Sequence, residues 1–371
     1  MRICLVSSAY RPYISGVGEH VHHLARELQN LGHSVHILTT SYTSFPDNNA
    51  FPATRLGKGL LLPFARGQFT LPFKFNLPLA TKKFFATNRF DIVHCHGIFP
   101  PELAYWAAHY TKDPLVVTFH TVTPELPNIV CKTVGFLLKK IDHKIKVKIA
   151  VSNGCRLWAG KFFTGDFRII PNGVDIERFH PDTPPLLNED RPLILFVGRL
   201  EKRKGLDTLL LALPEVIKRH PRAKLAVVGY GPLKKYYRKI TADIGVNQAV
   251  TFLDAVPNDL LPNYYTSATV YVAPTIGKEA MGIVLIEALS CARPVVASDI
   301  PGYNEIVTNG VNGILVPPGN HQALAQAIIT VLDSEKLRAQ LSWEARARAR
   351  DFDWKKICQQ VVQIYQEVIN R

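Results

Sequence analysis

The sequence lacks any apolar run long enough to cross a bilayer as a helix. Residues 1–6 read as a buried strand rather than as a secretion signal, which would show a longer apolar stretch and a cleavage site. The six cysteines show no paired spacing, so no disulfide framework is predicted. These absences exclude membrane-spanning and disulfide-stapled proteins and favour a cytoplasmic protein with reduced, buried thiols.

Acidic residues are missing from one long stretch. Between Asp47 and Asp91 there are none, although seven Lys and Arg residues are interleaved there with eight phenylalanines. Basic side chains beside exposed aromatic rings fit the surface of an anionic bilayer. The same pattern fits a core segment whose phenylalanines are buried and whose lysine ammonium groups reach water. Both interpretations stay open, and Arg66, Lys82 and Lys83 are the candidate acceptor or membrane contacts.

The net charge of +14 lies mainly in the first half of the chain, where residues 1–178 carry 21 Lys and Arg against 11 Asp and Glu. An excess of this kind suggests an anionic partner. The basic residues form no motif known to read nucleic acid, and the aromatic positions form no stacking platform. We therefore expect an anionic membrane surface as a partner and no nucleic acid.

Apolar runs of strand length alternate with longer helical patterns along the whole chain, which predicts an α/β fold. One series of strands ends near Val151 and a second opens at Leu193. Two series predict two doubly wound parallel sheets rather than one. The proline-rich polar stretch at 172–190 is typical of a linker. We predict domains at 1–178 and 179–350, followed by a C-terminal helix at 351–371.

Two glutamates bracket seven residues in the stretch Glu279-Ala-Met-Gly-Ile-Val-Leu-Ile-Glu287. Glu279 precedes Gly282, at the expected start of a helix, and Glu287 lies inside that helix in apolar surroundings. A helix N-terminus binds phosphate through unpaired N–H groups, and carboxylates accept hydrogen bonds from sugar and ribose hydroxyls. The pattern indicates a nucleotide-sugar site. The plainer interpretation is a partly exposed helix with a favourable N-terminal charge.

A basic turn follows the first strand of the second series, in the run Gly-Arg-Leu-Glu-Lys-Arg-Lys-Gly. Arg199 and Lys204 are spaced to direct two cations at one place, which suits a diphosphate. Without the two glutamates, a solvated basic loop would be the better interpretation. Another glycine turn, Gly229-Tyr-Gly231, follows the next strand.

Glycines and histidines follow the strands of the first half. Gly16 and Gly18 come after the first strand and let backbone N–H groups approach a phosphate. His120 follows the fourth strand, at the carboxyl edge where α/β proteins bind ligands, and His94 and His96 end the third. This His-x-His pair hints at a metal, but no third ligand is spaced nearby in the sequence, so we predict no metal site.

Taken in order, these motifs are similar to those of the retaining glycosyltransferases of family 4. The resemblance covers essentially the whole chain, from Gly16-Val-Gly18 through Thr118-Phe-His120, Pro171-Asn-Gly-Val-Asp175 and Gly198-Arg-x4-Lys-Gly205 to Glu279-x7-Glu287. It implies the GT-B fold, in which two Rossmann-like domains face each other and a C-terminal helix returns to the first. Within the family, the chain looks most similar to the bacterial phosphatidylinositol mannosyltransferases.

The resemblance also assigns roles to individual residues. Arg199 and Lys204 would hold the donor diphosphate and stabilise its departure, and the Gly16 backbone would approach the same phosphates on closure. Glu279 would bind hydroxyls of the transferred hexose, and Glu287 those of the ribose. The reacting anomeric carbon would lie beside His120. The other donor contacts would be the backbone N–H groups of Met281, Gly282 and Ile283 and, against the base, Val256.

The implied reaction retains the sugar configuration by front-face attack, in which the leaving diphosphate helps to deprotonate the acceptor. No carboxylate is placed as a covalent nucleophile. Two cationic side chains do the task of a metal ion, so no cofactor is expected. The donor would be GDP-mannose or a UDP-hexose. The acceptor would be a lipid or lipid-linked molecule at the inner membrane face, with the enzyme bound there peripherally.

Some features favour other acceptors. Phosphoinositide-acting relatives tend to carry a base where this chain has Glu125, which speaks against a phosphoinositide acceptor. A soluble-acceptor transferase and a sugar-nucleotide epimerase, which turns over its donor with no acceptor, are alternatives on the same fold. The basic, phenylalanine-rich segment before Asp91 argues against both.

Overall fold

A computed structural model of the chain describes residues 1–12, 15–41, 51–64, 67–73, 76–122, 128–187 and 191–370, without the side chains of 59–64, 67–73, 128 and 130. Arg66 and Glu125 lie outside the described residues. The chain divides into two compact units. Unit 1 comprises Met1–Asn172 and Trp354–Arg371, and unit 2 comprises Gly173–Asp353.

Unit 1 is built on an eight-stranded sheet in the order β4-β3-β2-β1-β5-β6-β7-β8. Neighbouring strands are parallel except for β3 and β4, which pair antiparallel. In chain order the elements are β1 (Arg2–Val6), α1 (Gly16–Asn30), β2 (Ser34–Ser41), β3 (Ala53–Phe64), β4 (Gly67–Phe73), α2 (Leu77–Thr87), β5 (Ile92–His96), α3 (Leu103–Tyr110), β6 (Leu115–Phe119), α4 (Asn128–Asp142), β7 (Ile145–Ala150), α5 (Asn153–Ala159) and β8 (Phe167–Ile169).

Unit 2 contains a six-stranded parallel sheet in the order β11-β10-β9-β12-β13-β14. Its elements are β9 (Leu193–Val197), α6 (Leu206–Arg219), β10 (Lys224–Val228), α7 (Lys234–Asp243), β11 (Val250–Asp254), α8 (Leu261–Ser267), β12 (Val270–Ala273), α9 (Ile283–Ser290), β13 (Val295–Ser298), β14 (Ile314–Val316), α10 (His321–Asp333) and α11 (Glu335–Ala349). The two sheets confirm the predicted pair of doubly wound folds.

The last helix, α12 (Trp354–Ile369), follows unit 2 in sequence but belongs to unit 1. This confirms the expected return of the C-terminal helix. The units divide at 172/173 and 353/354, whereas the sequence places the boundaries at 178/179 and 350/351. The reason is that the Val174 N–H donates to the Phe352 carbonyl at 2.7 Å and Arg178 donates to the Asn258 carbonyl, so the chain already packs in unit 2 from Gly173.

Both faces of the unit 1 sheet are covered, which explains why its central strands are almost wholly apolar. Strand β1 shows the alternation. Ile3 and Leu5 pack into a core with residues of α1 and α12, while Cys4 and Val6 pack into a second core with residues of α2, α3 and α4. The helices are thereby divided between the two sides of the sheet.

The acid-free stretch forms β3, β4 and α2. The sequence did not predict the two strands, because glycine, proline and lysine interrupt their apolar pattern. Lys82 and Lys83 are exposed on α2. Four phenylalanines of the stretch are buried, namely Phe51, Phe84, Phe85 and Phe90. For these four the core interpretation is confirmed.

The structure also tests the absences noted in the sequence. Searching the described residues yields no helix with the length and apolarity required to cross a membrane. All six cysteines are thiols, and five of them are buried. The buried cysteines agree with the expectation of reduced, buried thiols.

Candidate active site

Four loops meet at the carboxyl edge of the unit 2 sheet. They follow β9, β10, β11 and β12, which are neighbours in that sheet. A Cβ added to Gly229 would lie 1.9 Å from the Gly198 carbonyl oxygen, and one added to Gly205 would lie 1.9 Å from that of Pro274. Both glycines also have positive φ, 145° and 69°. Only glycine fits these positions, so the loops are held backbone against backbone.

Five charged side chains form a continuous network along these loops. Glu279 accepts hydrogen bonds from Lys204 and, at 3.1 Å, from Arg203. Arg203 also donates to Glu201 at 3.1 Å, and Glu201 pairs with Arg199 at 2.9 Å. The two predicted cations are thus joined through Arg203 and two carboxylates. The sequence interpretation singled out neither Arg203 nor Glu201.

The carboxylates of this network are more buried than its arginines. The side chains of Glu201 and Glu279 are 5% and 15% exposed, against 42% for Arg199 and 33% for Arg203. Burial works to raise the pKa of Glu279, but Lys204 and then Arg203 outweigh it and hold that pKa below its usual value. Glu279 is therefore ionised at neutral pH, and the half-exposed guanidinium groups keep a face toward solvent.

Helix α9 begins directly after the loop that carries the first glutamate, with Gly282 at its N-cap. A Cβ added to Gly282 would lie 2.6 Å from the Tyr303 ring. The Tyr303 and Thr275 hydroxyls lie 2.9 Å apart, which fixes that ring. The Ile283 N–H donates to the Met281 carbonyl at 3.1 Å, so it already has an acceptor in this structure. The predicted donor contacts at this turn stay predictions.

Glu287 lies in the second turn of α9 and is half-buried. It accepts a hydrogen bond from the Tyr265 hydroxyl at 2.8 Å. Burial, and then the neighbouring Glu287, raise the pKa of Tyr265 well above its usual value, so the phenol stays protonated and donating. A carboxylate has about four lone-pair sites, so one that accepts from a tyrosine can also accept from ribose hydroxyls. No sequence pattern indicated Tyr265, because it lies on a different helix, α8.

Val256 is half-buried in the loop after β11. Just before it, Asp254 has a φ of 60° and pairs with Lys234. The Gly229 N–H donates to the Asp254 carbonyl at 2.7 Å, which ties the end of β11 to the loop after β10. Val256 therefore lies at the same sheet edge as the charge network, and its contact with a base stays a prediction.

In unit 1, helix α1 begins at Gly16 with Ser15 as its N-cap. The Gly18 N–H donates to the Ser15 hydroxyl oxygen at 3.0 Å. Gly16 is exposed and Gly18 is buried, where an added Cβ would lie 3.3 Å from the Ala9 carbonyl oxygen. The exposed first turn has the backbone geometry that suits an anion. The role predicted for Gly16 is untested and stays a prediction.

Four histidines lie together at the carboxyl edge of the unit 1 sheet. His94 and His96 end β5, His120 follows β6, and His20 comes from α1. Nδ1 of His96 lies 3.1 Å from Nε2 of His120. The ring centre of His20 is 4.5 Å from that of His120, and its Nδ1 lies 2.9 Å from Oδ1 of Asn172. The four rings form one cluster of ring contacts, in which His96 and His120 share a hydrogen bond.

Helix α12 covers this cluster. The Trp354 ring centre lies 4.9 Å from that of His20 and stacks at 5.6 Å on that of His23. Further along the helix, the Tyr365 hydroxyl lies 2.7 Å from Nδ1 of His94. The return of α12 to unit 1 therefore helps to bury His20 and His94, while His120 stays partly exposed.

The cluster is uncharged at neutral pH. Burial lowers the pKa of His20 and His94 to about 3. Burial, and then the neighbouring histidines, lower the pKa of His96 and His120 well below the usual value. A neutral imidazole donates from one nitrogen and accepts at the other, which suits an uncharged hydroxyl.

A third histidine lies near the His-x-His pair in space, although no third ligand is spaced nearby in the sequence. His20, His96 and His120 offer ring nitrogens within 4.8 Å of one another. His20 was missed because it lies on α1, far from the pair in sequence, and only the packing of α1 brings it near. The three nitrogens could hold a metal ion, although the His96 and His120 rings share a hydrogen bond and His20 pairs with Asn172. Nε2 of His96 is buried and has no hydrogen-bond partner among the described residues. The expectation of no metal stays a prediction.

Two family models match the chain, one in each half. The model described as Glycosyltransferase Family 4 matches residues 14–178, and that described as Glycosyl transferases group 1 matches residues 181–348. The chain is also similar to the phosphatidyl-myo-inositol mannosyltransferase of Mycolicibacterium smegmatis. The two are 32% identical over 373 residues, which cover 99% of this chain and 94% of that protein.

Solved structures share the fold over the whole chain. Sucrose-phosphate synthase from Thermosynechococcus elongatus superposes with a TM-score of 0.80 at 23% identity, covering 100% of this chain and 99% of that one. HepE of Anabaena, solved in complex with UDP-glucose, superposes with a TM-score of 0.79 at 20% identity, covering 99% and 100%. These likenesses confirm the GT-B fold.

Proposed function

The chain belongs to the retaining glycosyltransferases of family 4, and we propose that it transfers a hexosyl group from a nucleotide diphosphate sugar to a lipid or lipid-linked acceptor at the inner face of a membrane. Its class as a hexosyltransferase follows from the family. The donor, the acceptor and the membrane are the proposal. The observation that carries it is the unit 2 network, in which two carboxylates hold three cations at a sheet edge suited to ligands.

The cations of the network suit the donor diphosphate. Arg199 and Arg203 present planar guanidinium groups, which bind phosphate oxygens through paired N–H donors, and Lys204 adds a point charge. Glu201 and Glu279 hold these groups in place beforehand. When the bond between the anomeric carbon and the diphosphate breaks, negative charge grows on the leaving phosphate. Cations already in position stabilise that charge without reorganising.

The two glutamates of α9 and its preceding loop suit the sugar rings of the donor. Glu279 is ionised at neutral pH because its pKa is held low, so it accepts hydrogen bonds from hexose hydroxyls. Glu287, fixed by Tyr265, takes the ribose hydroxyls. The base lies against Val256. This order follows the donor from hexose to base along one sheet edge.

His120 is proposed to contact the hexose beside the reacting carbon. Since burial keeps its pKa well below the usual value, it acts through hydrogen bonds rather than through charge. The acceptor oxygen bonds to the anomeric carbon on the face that the diphosphate leaves. The acceptor proton passes to an oxygen of the departing phosphate. One bond forms as the other breaks on the same face, so the configuration is retained with no protein nucleophile.

An inositol lipid is the first acceptor to test. The support is the likeness, over nearly the whole chain, to a protein named phosphatidyl-myo-inositol mannosyltransferase. The exposed Lys82 and Lys83 on α2 suit an anionic headgroup. Glu125 lies outside the described residues, so the sequence argument against a phosphoinositide acceptor stays untested.

The donor is GDP-mannose or a UDP-hexose. The name of the Mycolicibacterium smegmatis relative favours a mannosyl donor, and the complex of HepE with UDP-glucose supports a uridine nucleotide on this fold. Thermal-shift measurements with GDP, UDP, ADP and their hexose conjugates distinguish these. We expect one base to raise the melting temperature and the others to leave it unchanged.

A transfer assay then tests the acceptor. The chain is incubated with radiolabelled donor of the chosen base and with vesicles containing phosphatidylinositol, and label is expected in the extracted lipid. No thermal response to any nucleotide contradicts the proposed donor. Donor turnover at the same rate with and without vesicles contradicts the lipid acceptor and favours the epimerase or soluble-acceptor alternatives.

A further inference from the structure

Helix α4 has two contrasting faces. Val134, Leu138 and Ile141 are buried in a core of unit 1. The opposite face is exposed, and we call it the α4 stripe. It consists of Ile129, Lys132, Thr133, Phe136, Lys139 and Lys140. These positions follow the three- and four-residue spacing that places side chains on one side of a helix.

The α4 stripe exposes two large apolar side chains. Ile129 is 76% exposed and Phe136 is 62% exposed. They stand seven residues apart, which separates them by about 10 Å along the helix axis. Covering apolar surface that is exposed to water lowers the free energy of the system. The two side chains are therefore available for contact with another apolar phase.

Lysines surround these two side chains. Lys132, Lys139 and Lys140 are exposed, and Nζ of Lys140 lies 4.5 Å from the Phe136 ring centre. The one acid of the helix, Asp142, is already paired with Lys148 at 2.9 Å. In the part of the chain that the structure describes, no carboxylate is paired with the three lysines. The α4 stripe therefore combines exposed apolar groups with unbalanced positive charge.

Helix α2 presents a similar surface on the same side of the sheet. Its buried Phe84 and Phe85 share a core with the buried face of α4, while α1 and α12 pack in the core on the other side. Leu79 is 65% exposed on α2, and Lys82 and Lys83 are exposed beside it. Two helices thus carry lysines and bare apolar side chains on one side of unit 1.

A bilayer surface fits this chemistry better than a protein or a nucleic acid. Lysine is depleted at protein interfaces, and it makes up half of the α4 stripe. Sites for single-stranded nucleic acids use successive aromatic rings and arginines, whereas the stripe has one ring and no arginine. Helices that lie on anionic membranes combine Phe and aliphatic side chains with lysines.

We propose that the α4 stripe docks on an anionic bilayer, with Ile129 and Phe136 inserted among the headgroups and the three lysines against the lipid phosphates. The inference rests on the proposed lipid-linked acceptor. It goes further by naming the helix that enters the bilayer, and it would bring unit 1 to the surface where such an acceptor resides.

Co-sedimentation of the full chain with vesicles tests the proposal, using equal parts phosphatidylcholine and phosphatidylglycerol beside phosphatidylcholine alone. Phe136→Asp is expected to weaken partitioning at least about tenfold, the scale for losing the burial of one large apolar side chain. Lys139→Gln with Lys140→Gln is expected to weaken it about fivefold per lysine on anionic vesicles. Trp343→Asp is the matched control, since Trp343 is 77% exposed on α11 of unit 2. It should leave partitioning unchanged.

Melting temperatures and nucleotide thermal shifts of each variant, measured in parallel, show whether the fold and the donor site are intact. A failure of docking is thereby distinguished from a failure of the proposed donor. Unchanged partitioning of Phe136→Asp overturns the proposal, as does equal partitioning of the wild type into neutral and anionic vesicles. A wild-type dimer that Phe136→Asp converts to monomer would instead make the stripe an interface between copies, and also overturns it.

Discussion

The two units bury polar side chains at the carboxyl edges of their sheets in different ways. In unit 2, Glu201 and Glu279 lie among cations, within 3.1 Å of the arginines that they bind, and Lys204 and Arg203 keep Glu279 ionised by lowering its pKa. In unit 1, histidines of β5, β6 and α1 pack ring against ring and lose their charge, because burial lowers the pKa of each. The unit 2 edge holds opposite charges in pairs, whereas the unit 1 edge keeps its histidines neutral.

The difference matches two kinds of ligand. Cations that are paired with carboxylates can also bind an incoming anion, so the unit 2 edge is suited to a diphosphate. Neutral imidazoles both donate and accept, so the unit 1 edge is suited to a sugar or acceptor hydroxyl. We infer that the unit 2 edge binds the donor through paired charges and their carboxylates, and that the unit 1 edge binds uncharged hydroxyls through neutral imidazoles.

Removing Glu279 should have the largest effect. Glu279→Ala is expected to lower kcat/KM about 10²–10³-fold, because the hexose loses an acceptor and Lys204 and Arg203 lose the carboxylate that positions them. The fold should persist, since the side chain lies on a loop. Initial rates measure the loss of activity, and melting curves show whether the fold persists. The control is Asp333→Ala, which breaks ion pairs with Arg219 and His220 at the end of α10; equal losses of activity in the two variants would contradict the assignment.

Acidification should destabilise the two units at different pH. When a histidine has a lowered pKa in the folded state, the unfolded chain takes up protons that the folded chain does not. Stability is then full above about pH 6.5 and falls as the pH drops toward the folded pKa. The folded-state pKa of His20 and His94 is about 3. Below about pH 6.5, each further drop of one pH unit therefore lowers the free energy of unfolding by about 1.4 kcal/mol per histidine. Glu279, whose pKa is lowered, contributes stability above its unfolded pKa and loses it only in more acidic solution.

Between pH 7 and pH 5, unit 1 should therefore lose several kcal/mol while unit 2 loses little. Hydrogen exchange resolved by segment measures this directly, with β5 reporting on unit 1 and β12 on unit 2. Equal loss of protection in β5 and β12 would contradict the predicted difference in acid stability between the two units.

A smaller effect is expected from the second glutamate. Tyr265→Phe removes the hydrogen bond to Glu287 and should raise the KM for the donor about tenfold, with kcat little changed because ribose binding is the same before and during reaction. Tyr271→Phe is the matched control, because its hydroxyl donates to the Val197 carbonyl rather than to a carboxylate. A tenfold loss in kcat for Tyr265→Phe, or equal KM changes in both variants, would count against the ribose role.

Removing divalent metal should have no effect on transfer. The cations of unit 2 stabilise the leaving phosphate, and in unit 1 the His96 and His120 rings share a hydrogen bond at 3.1 Å. Rates before and after dialysis against EDTA, with metal content measured by mass spectrometry, check this. Activity lost on dialysis and restored by one divalent ion would assign the histidine cluster a metal instead.

The site residues that could be predicted from sequence are those whose positions depend on local spacing. Glu279 and Glu287 are set by one loop and the helix that follows it, and Arg199 by its position after a strand. Arg203 was not predicted because it is one of three consecutive basic residues. Only the 3-10 turn at Lys202–Lys204 determines which of them contact Glu279.

The remaining features depend on packing between distant segments. His20 joins the histidine cluster only when α1 packs on the sheet, and Tyr265 meets Glu287 across two helices. The exposure of Phe136 likewise depends on which face of α4 the core takes, since its near neighbour Val134 is buried. Composition revealed the basic character of unit 1, but it could not show which apolar side chains remain in water.

Isothermal titration of the purified chain with GDP and UDP, each beside its monophosphate, tests the central claim most directly. We predict that one base binds, that its diphosphate binds at least about tenfold tighter than its monophosphate, and that Lys204→Gln removes most of this difference. Equal affinity for mono- and diphosphates in the wild type would contradict the claim that the charge network of unit 2 holds the donor diphosphate.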